Sequence, residues 1–154
     1  MNKSINILIV EDNVLIADDM QMILEDMGYN VLANVTSYEK AVEVLKNESI
    51  DLALLDIQLA TEKSGIDIGR YIRENLDIPF VFVTSNSDVE TVNNAKNVKP
   101  NGYLVKPFQE YGHNFPNSVL VHSHLIRSLN KIDFSNNYNL SWCVLTKKIH
   151  KYVL

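Results

Sequence analysis

The chain has 154 residues, 46% of them apolar and 21% charged, an ordinary composition for a globular fold that can bury a core. Its net charge of −5 hides an asymmetry, because residues 1–108 carry 9 Lys or Arg against 17 Asp or Glu whereas residues 109–154 carry 5 against 2. The acidic balance of the larger part excludes nonspecific nucleic-acid binding there, the lack of any apolar run near 18 residues excludes a membrane helix, and a single cysteine, Cys143, excludes an internal disulfide.

The first apolar run, INILIV at 5–10, is too short to cross a bilayer and the start of the chain lacks a signal peptide's cleavage region, so a cytoplasmic location is expected. Four further runs follow: VLANV (31–35), DLALLD (51–56), IPFVFVT (78–84) and GYLVK (102–106). Most are continuous rather than alternating, the pattern of strands covered on both faces in a parallel sheet. Helical periods separate them. Ile16, Met20, Ile23, Leu24 and Met27 form one apolar stripe, with Asn13 placed to cap its start and Gly28 to end it. Tyr38, Ala41, Val42 and Leu45 form a second behind Ser37, a good cap, and the charges of Glu39, Lys40, Glu43 and Lys46 read as its solvated face. Ile68, Ile72 and Leu76 form a third, stopped before Pro79. A fourth period, Asp88 to about Val98, has only Val89, Val92 and Ala95 as anchors and three weak helix formers in Asn93, Asn94 and Asn97. Strand and helix alternating in this way predict an α/β fold, a flavodoxin-like doubly wound five-stranded parallel sheet of order 2-1-3-4-5 with an atypical C-terminal segment.

Such sheets bind ligands at the carboxyl ends of their strands, beside the point where strand order reverses. Those ends carry Glu11 and Asp12, then Asp56, then Thr84 and Ser85, then Lys106. Three carboxylates converging on one crevice repel one another unless a cation neutralises them, and an all-oxygen donor set favours Mg2+. With charge on the equatorial oxygens offset by the metal and Lys106, and with a hydroxyl from Thr84, the chemistry that fits is phosphoryl transfer to Asp56.

The segments ILIVEDN, LLDIQL, FVFVTSNSD and GYLVKPF, in this order on the predicted strand ends, resemble the four signature segments of the receiver domain of two-component response regulators. The resemblance covers about residues 4–108 and divides the chain into a receiver domain, 1–108, and an atypical fifth-helix region and tail, 109–154. It implies that Asp56 is the phosphoacceptor, served by a sensor histidine kinase or phosphotransfer protein. It also implies that Glu11, Asp12, Asp56 and the backbone carbonyl of Gln58 hold Mg2+, that Lys106 binds phosphoryl, that Thr84 and Tyr103 form the switch, and that the peptide before Pro107 is cis. Such a domain is not an enzyme beyond Mg-dependent self-phosphorylation from phosphodonors and autodephosphorylation.

Beyond Phe108 the sequence departs from the pattern, with Gly112 and Pro116 interrupting the expected start of a fifth helix. A delayed helix from Asn117 would align Val121, Leu125, Leu129 and Ile132; His122 and His124, two apart, would not share a face of it, so no metal is expected there, and Cys143 reads as a small buried hydrophobe. Three accounts of the tail stay open: a packing extension, a truncated DNA-binding output of a transcription regulator, or a frame-shifted segment. No helix-turn-helix pattern fits in it, so direct DNA binding by this chain is not expected. Exchange of the apolar tail between copies would give a homodimer.

Two rivals use related parts. An aspartyl-phosphate phosphohydrolase would resemble haloacid dehalogenases and need a second Asp two residues past the nucleophile, where this chain has Gln58. A flavodoxin-like FMN module would offer hydroxyls and glycine to a phosphate in its first loop, where Glu11 and Asp12 would repel it.

Overall fold

A computed structural model of the chain describes residues 5–85 and 89–106. Within them run β1 (Asn6–Val10), α1 (Val14–Asp26), β2 (Asn30–Val35), α2 (Tyr38–Asn47), β3 (Leu52–Asp56), α3 (Gly65–Asn75), β4 (Phe80–Thr84), α4 (Val89–Asn97) and β5 (Gly102–Val105). The strands form one parallel sheet of order β2-β1-β3-β4-β5, as the alternation predicts. The expectations for Pro107, the delayed fifth helix, His122, His124 and Cys143 lie outside the described residues.

The alternation of side chains along each strand builds a core on either side of the sheet. Ile7 and Ile9 of β1, Leu52 and Leu54 of β3, and Val81 and Val83 of β4 pack with Met20, Ile23 and Leu24 of α1. Their sequence neighbours Leu8, Val10, Ala53, Leu55, Phe80 and Phe82 pack on the other side with Ala41 and Leu45 of α2, Ile68 and Ile72 of α3, and Ala95 of α4. All five residues of both β3 and β4 are buried, which is why these strands read as unbroken apolar runs.

The helix boundaries follow from local chemistry. Asn13 Oδ1 accepts from the N–H groups of Leu15 (3.1 Å) and Ile16 (3.4 Å), which satisfies two of α1's free donors, and Gly28 leaves the helix at φ 81°. Ser37 caps α2 by accepting from Lys40 N at 3.4 Å, and Glu39, Lys40, Glu43 and Lys46 are exposed. Two features were not readable from the pattern. Leu32 is an extra residue in β2, because Ile7 pairs with Val31 and Leu8 with Ala33; the bulge interrupts an edge strand that has no charge to protect it. Arg73 of α3 reaches the chain between α4 and β5, donating to Lys99 O (3.0 Å from Nε) and Asn101 Oδ1 (2.8 Å) while its guanidinium lies 4.7 Å from the Phe80 ring centre. Asn101 Oδ1 also accepts from Phe80 N at 3.1 Å, so this corner holds the start of β4 and the end of α4 together.

Candidate functional site

Strands β1 and β3 are neighbours whose following helices leave on opposite sides of the sheet, and the crevice between their carboxyl ends receives the predicted acidic residues. One carboxylate oxygen from each of Glu11, Asp12 and Asp56 lies within 4.8 Å of the other two. Glu11 and Asp56 are buried, at 1% and 6% exposure, and Asp12 is half-buried. Local hydrogen bonds orient all three. Glu11 Oε1 accepts from Asn13 N at 3.2 Å, Asp12 Oδ2 from Ala60 N at 3.0 Å, and Asp56 Oδ1 from Gln58 N at 3.2 Å.

The cation in this crevice is Lys106, which follows β5 and reaches across β4. Its Nζ lies 2.5 Å from Glu11 Oε2 and donates to Asp56 Oδ2 at 2.9 Å, and its own side chain is 9% exposed. Burial raises the Glu11 carboxyl above its ordinary range, and the charge of Asp56 pushes the same way against the opposing pull of Lys106. For Lys106, burial lowers the ammonium, but the contacts with Glu11 and Asp56 outweigh it and hold the group above its usual value. Among the described residues one ammonium faces three carboxylates, which leaves the site short of positive charge. A donor set made entirely of oxygens in such a site fits a hard divalent cation, and Glu11, Asp12 and Asp56 are the groups placed to hold it.

The remaining predicted residues sit around this centre. Thr84 is buried at the end of β4, and its carbonyl accepts from Lys106 N at 2.7 Å, so the backbone joins the hydroxyl-bearing residue to the lysine. Gln58 is exposed. Tyr103 is half-buried, its ring centre 5.9 Å from that of Phe82, and its buried hydroxyl has no hydrogen-bond partner among the described residues. Burial moves that phenol's pKa upward. Sequence reasoning missed the N–H groups of Ala60 and Asn13, which are backbone donors and leave no residue signature.

Comparison with known proteins agrees with this fold. The model of the response regulator receiver domain matches residues 7–111, and the chain belongs to that family. Among curated relatives, the transcriptional regulatory protein YvrH of Bacillus subtilis is 28% identical over 144 residues, covering 94% of this chain and 59% of its own length. The response regulator SaeR of Staphylococcus aureus is 36% identical over 104 residues, covering 67% of this chain and 44% of its own length. The chain thus spans less than two thirds of these relatives. Among solved structures, the signal receiver domain of a modulated diguanylate cyclase from Desulfovibrio desulfuricans is 31% identical at a TM-score of 0.68, with 87% of this chain and all of that one aligned. The receiver domain of the PhyR response regulator of Erythrobacter litoralis is 28% identical at a TM-score of 0.64, with 84% and 93% covered. The fold and family are those of two-component signalling, whose receiver domains generally bind Mg2+ at an acidic cluster and interact with histidine kinases. Among the described residues no helix is long and apolar enough to cross a membrane.

Proposed function

We propose that residues 1–108 form a phosphorylation-dependent switch in which Asp56 accepts a phosphoryl group from a histidine kinase or phosphotransfer protein in the cytoplasm. The observation that carries this reading is the Glu11–Lys106–Asp56 cluster, a buried carboxylate at a strand end already held by an ammonium at 2.9 Å with two more carboxylates beside it. Glu11, Asp12, Asp56 and the Gln58 carbonyl would hold Mg2+, which would supply charge to offset that of the phosphoryl oxygens. The chain does the rest: Asp56 Oδ attacks phosphorus, the donor's leaving group departs, and Lys106 stabilises the oxygens of the new acyl phosphate. Exposed Val14 and Leu15 at the start of α1, next to Asn13 and the site, offer the phosphodonor protein an apolar surface.

Phosphorylation adds about −1.5 to −2 charge at Asp56. Thr84 moves toward the new oxygens, Tyr103 takes the space it leaves and gains a partner for its hydroxyl, and α4 shifts with them. The chain carries out self-phosphorylation and autodephosphorylation and no other enzymatic reaction. The same reading takes the full chain to form a homodimer and not to bind DNA directly.

Incubation of the full chain with acetyl phosphate and Mg2+ tests the proposal. A mass gain of one phosphoryl group, abolished by EDTA and by Asp56→Asn, supports it; labelling of the Asp56→Asn variant at the wild-type rate refutes it.

A further inference from the structure

The first residue of α3 lies against the backbone of the proposed phosphoacceptor. A Cβ at Gly65 would stand 1.8 Å from the carbonyl oxygen of Asp56, 2.8 Å from its carbonyl carbon and 3.3 Å from Ile57 Cα. Nothing there is a flexible side-chain end that could turn aside. Gly65 N also donates to Ile57 O at 3.1 Å, while Ile57 N donates to Val83 O at 3.2 Å, so the two peptides following Asp56 are held from both sides. The start of α3 is itself fixed, because Asp67 Oδ2 accepts from both the N–H and the hydroxyl of Ser64 at 2.9 Å.

We infer that Gly65 is a positioning residue for the phosphoryl-transfer site: its bare Cα lets the N-terminus of α3 clamp the Asp56–Ile57 peptide, and the clamp sets Asp56 and Gln58 together. The inference rests on the function proposed for Asp56. An alanine at position 65 requires the Asp56 carbonyl to retreat by about 1.2 Å to reach even 3.0 Å from the new methyl group. That retreat turns the peptide linking Asp56 to Ile57, and with it the Asp56 carboxylate that Lys106 holds and the backbone carrying the Gln58 carbonyl. Metal binding and phosphoryl acceptance therefore fail together. Helix propensity cannot account for such a loss, since alanine is the better helix former.

Gly69 supplies a matched control on the same helix. A Cβ there would meet ring atoms of Phe80 at 2.9 Å and of Phe82 at 3.1 Å, in the core and away from the site. Both substitutions crowd the fold, but only Gly65→Ala crowds the Asp56 backbone.

The test compares full-length wild type, Gly65→Ala and Gly69→Ala by Mg2+ titration followed through amide NMR shifts, and by the rate of labelling with acetyl phosphate. Gly65→Ala should bind Mg2+ at least ~10-fold more weakly and label ~100-fold more slowly while keeping a dispersed spectrum. Gly69→Ala should melt at a lower temperature yet keep both values, per folded molecule, within ~2-fold of wild type, as expected of a change confined to core packing. Wild-type Mg2+ affinity in Gly65→Ala, or equal losses in the two variants, would overturn the inference. If Gly65→Ala does not fold, the double variant Ser64→Ala/Asp67→Ala, which loosens the start of α3 without adding an atom, should weaken Mg2+ binding several-fold, and unchanged affinity in it would overturn the inference. A wild-type chain that neither binds Mg2+ nor labels would instead overturn the proposed function.

Discussion

Replacing Lys106 by methionine keeps most of the side chain's volume and removes the single cation held, among the described residues, by the acidic groups of the site. The side chains of Lys106, Glu11 and Asp56 are 9%, 1% and 8% exposed, so two buried carboxylates lose their partner at once. Removing one member of a buried ion pair typically costs about 3–5 kcal/mol, which for a domain of roughly 100 residues corresponds to a fall of at least about 12 °C in melting temperature. The loss should depend on pH and on metal. Burial and Asp56 already raise the Glu11 carboxyl, and Lys106 opposes them, so the variant's Glu11 rises further. A carboxyl with a raised folded-state pKa loses stability as pH increases, and the deficit in EDTA should therefore widen between about pH 5 and pH 8. Mg2+ should then stabilise the variant more than the wild type, since no ammonium shares the carboxylates; saturation at 100 times the dissociation constant is worth about 2.7 kcal/mol. Urea unfolding in EDTA and in Mg2+ at the two pH values measures all of this. A deficit of the same size in both media and at both pH values would refute the idea that Lys106 stands in for part of the metal's charge.

Three further outcomes are expected. Asp12→Asn keeps an acceptor for Ala60 N and removes one charge, so Mg2+ affinity measured by calorimetry should fall while the melting temperature in EDTA rises; an unchanged affinity would exclude Asp12 from the metal set. At Asp67, partial burial pushes the carboxyl up, but bonds from Ser64 and Arg70 outweigh it and hold the group below its ordinary value, so its contribution is present above the unfolded-state pKa and lost as pH falls through the folded-state one. Acid unfolding of Asp67→Asn should accordingly show a shallower loss of stability in the region below about pH 4, and an identical acid limb would contradict the assignment. Light scattering should find the full chain dimeric and a 1–110 truncation not; a monomeric full chain would exclude exchange of the tail.

The fold was legible because buried parallel strands announce themselves as unbroken apolar runs and their helices as stripes with caps. Asn13, Ser37 and Gly28 mark the boundaries they were expected to mark. Strand β4 begins at Phe80 rather than at Ile78 because Pro79 has no N–H for the ladder, although its carbonyl still accepts from Ala53 N at 3.1 Å. The site was legible to the level of residue type: charged groups at the ends of apolar strands have few bland explanations, and Glu11, Asp12, Asp56 and Lys106 do converge. What stayed hidden is carried by backbone or depends on close approach. The Ala60 and Asn13 N–H donors, the Leu32 bulge and the contact between Gly65 and Asp56 leave little or no compositional trace, and Arg73 gave no hint that it would bind carbonyls some 26 residues away.

The central claim is that one carboxylate, Asp56, becomes an acyl phosphate. Borohydride reduces an aspartyl phosphate to homoserine and leaves an ordinary aspartate untouched, so treatment after incubation with acetyl phosphate and Mg2+, followed by peptide mass spectrometry, locates the modified residue directly. Homoserine at position 56, absent when Mg2+ is withheld, is the predicted result; homoserine at Asp12 or at another carboxylate, with aspartate intact at 56, would contradict the account.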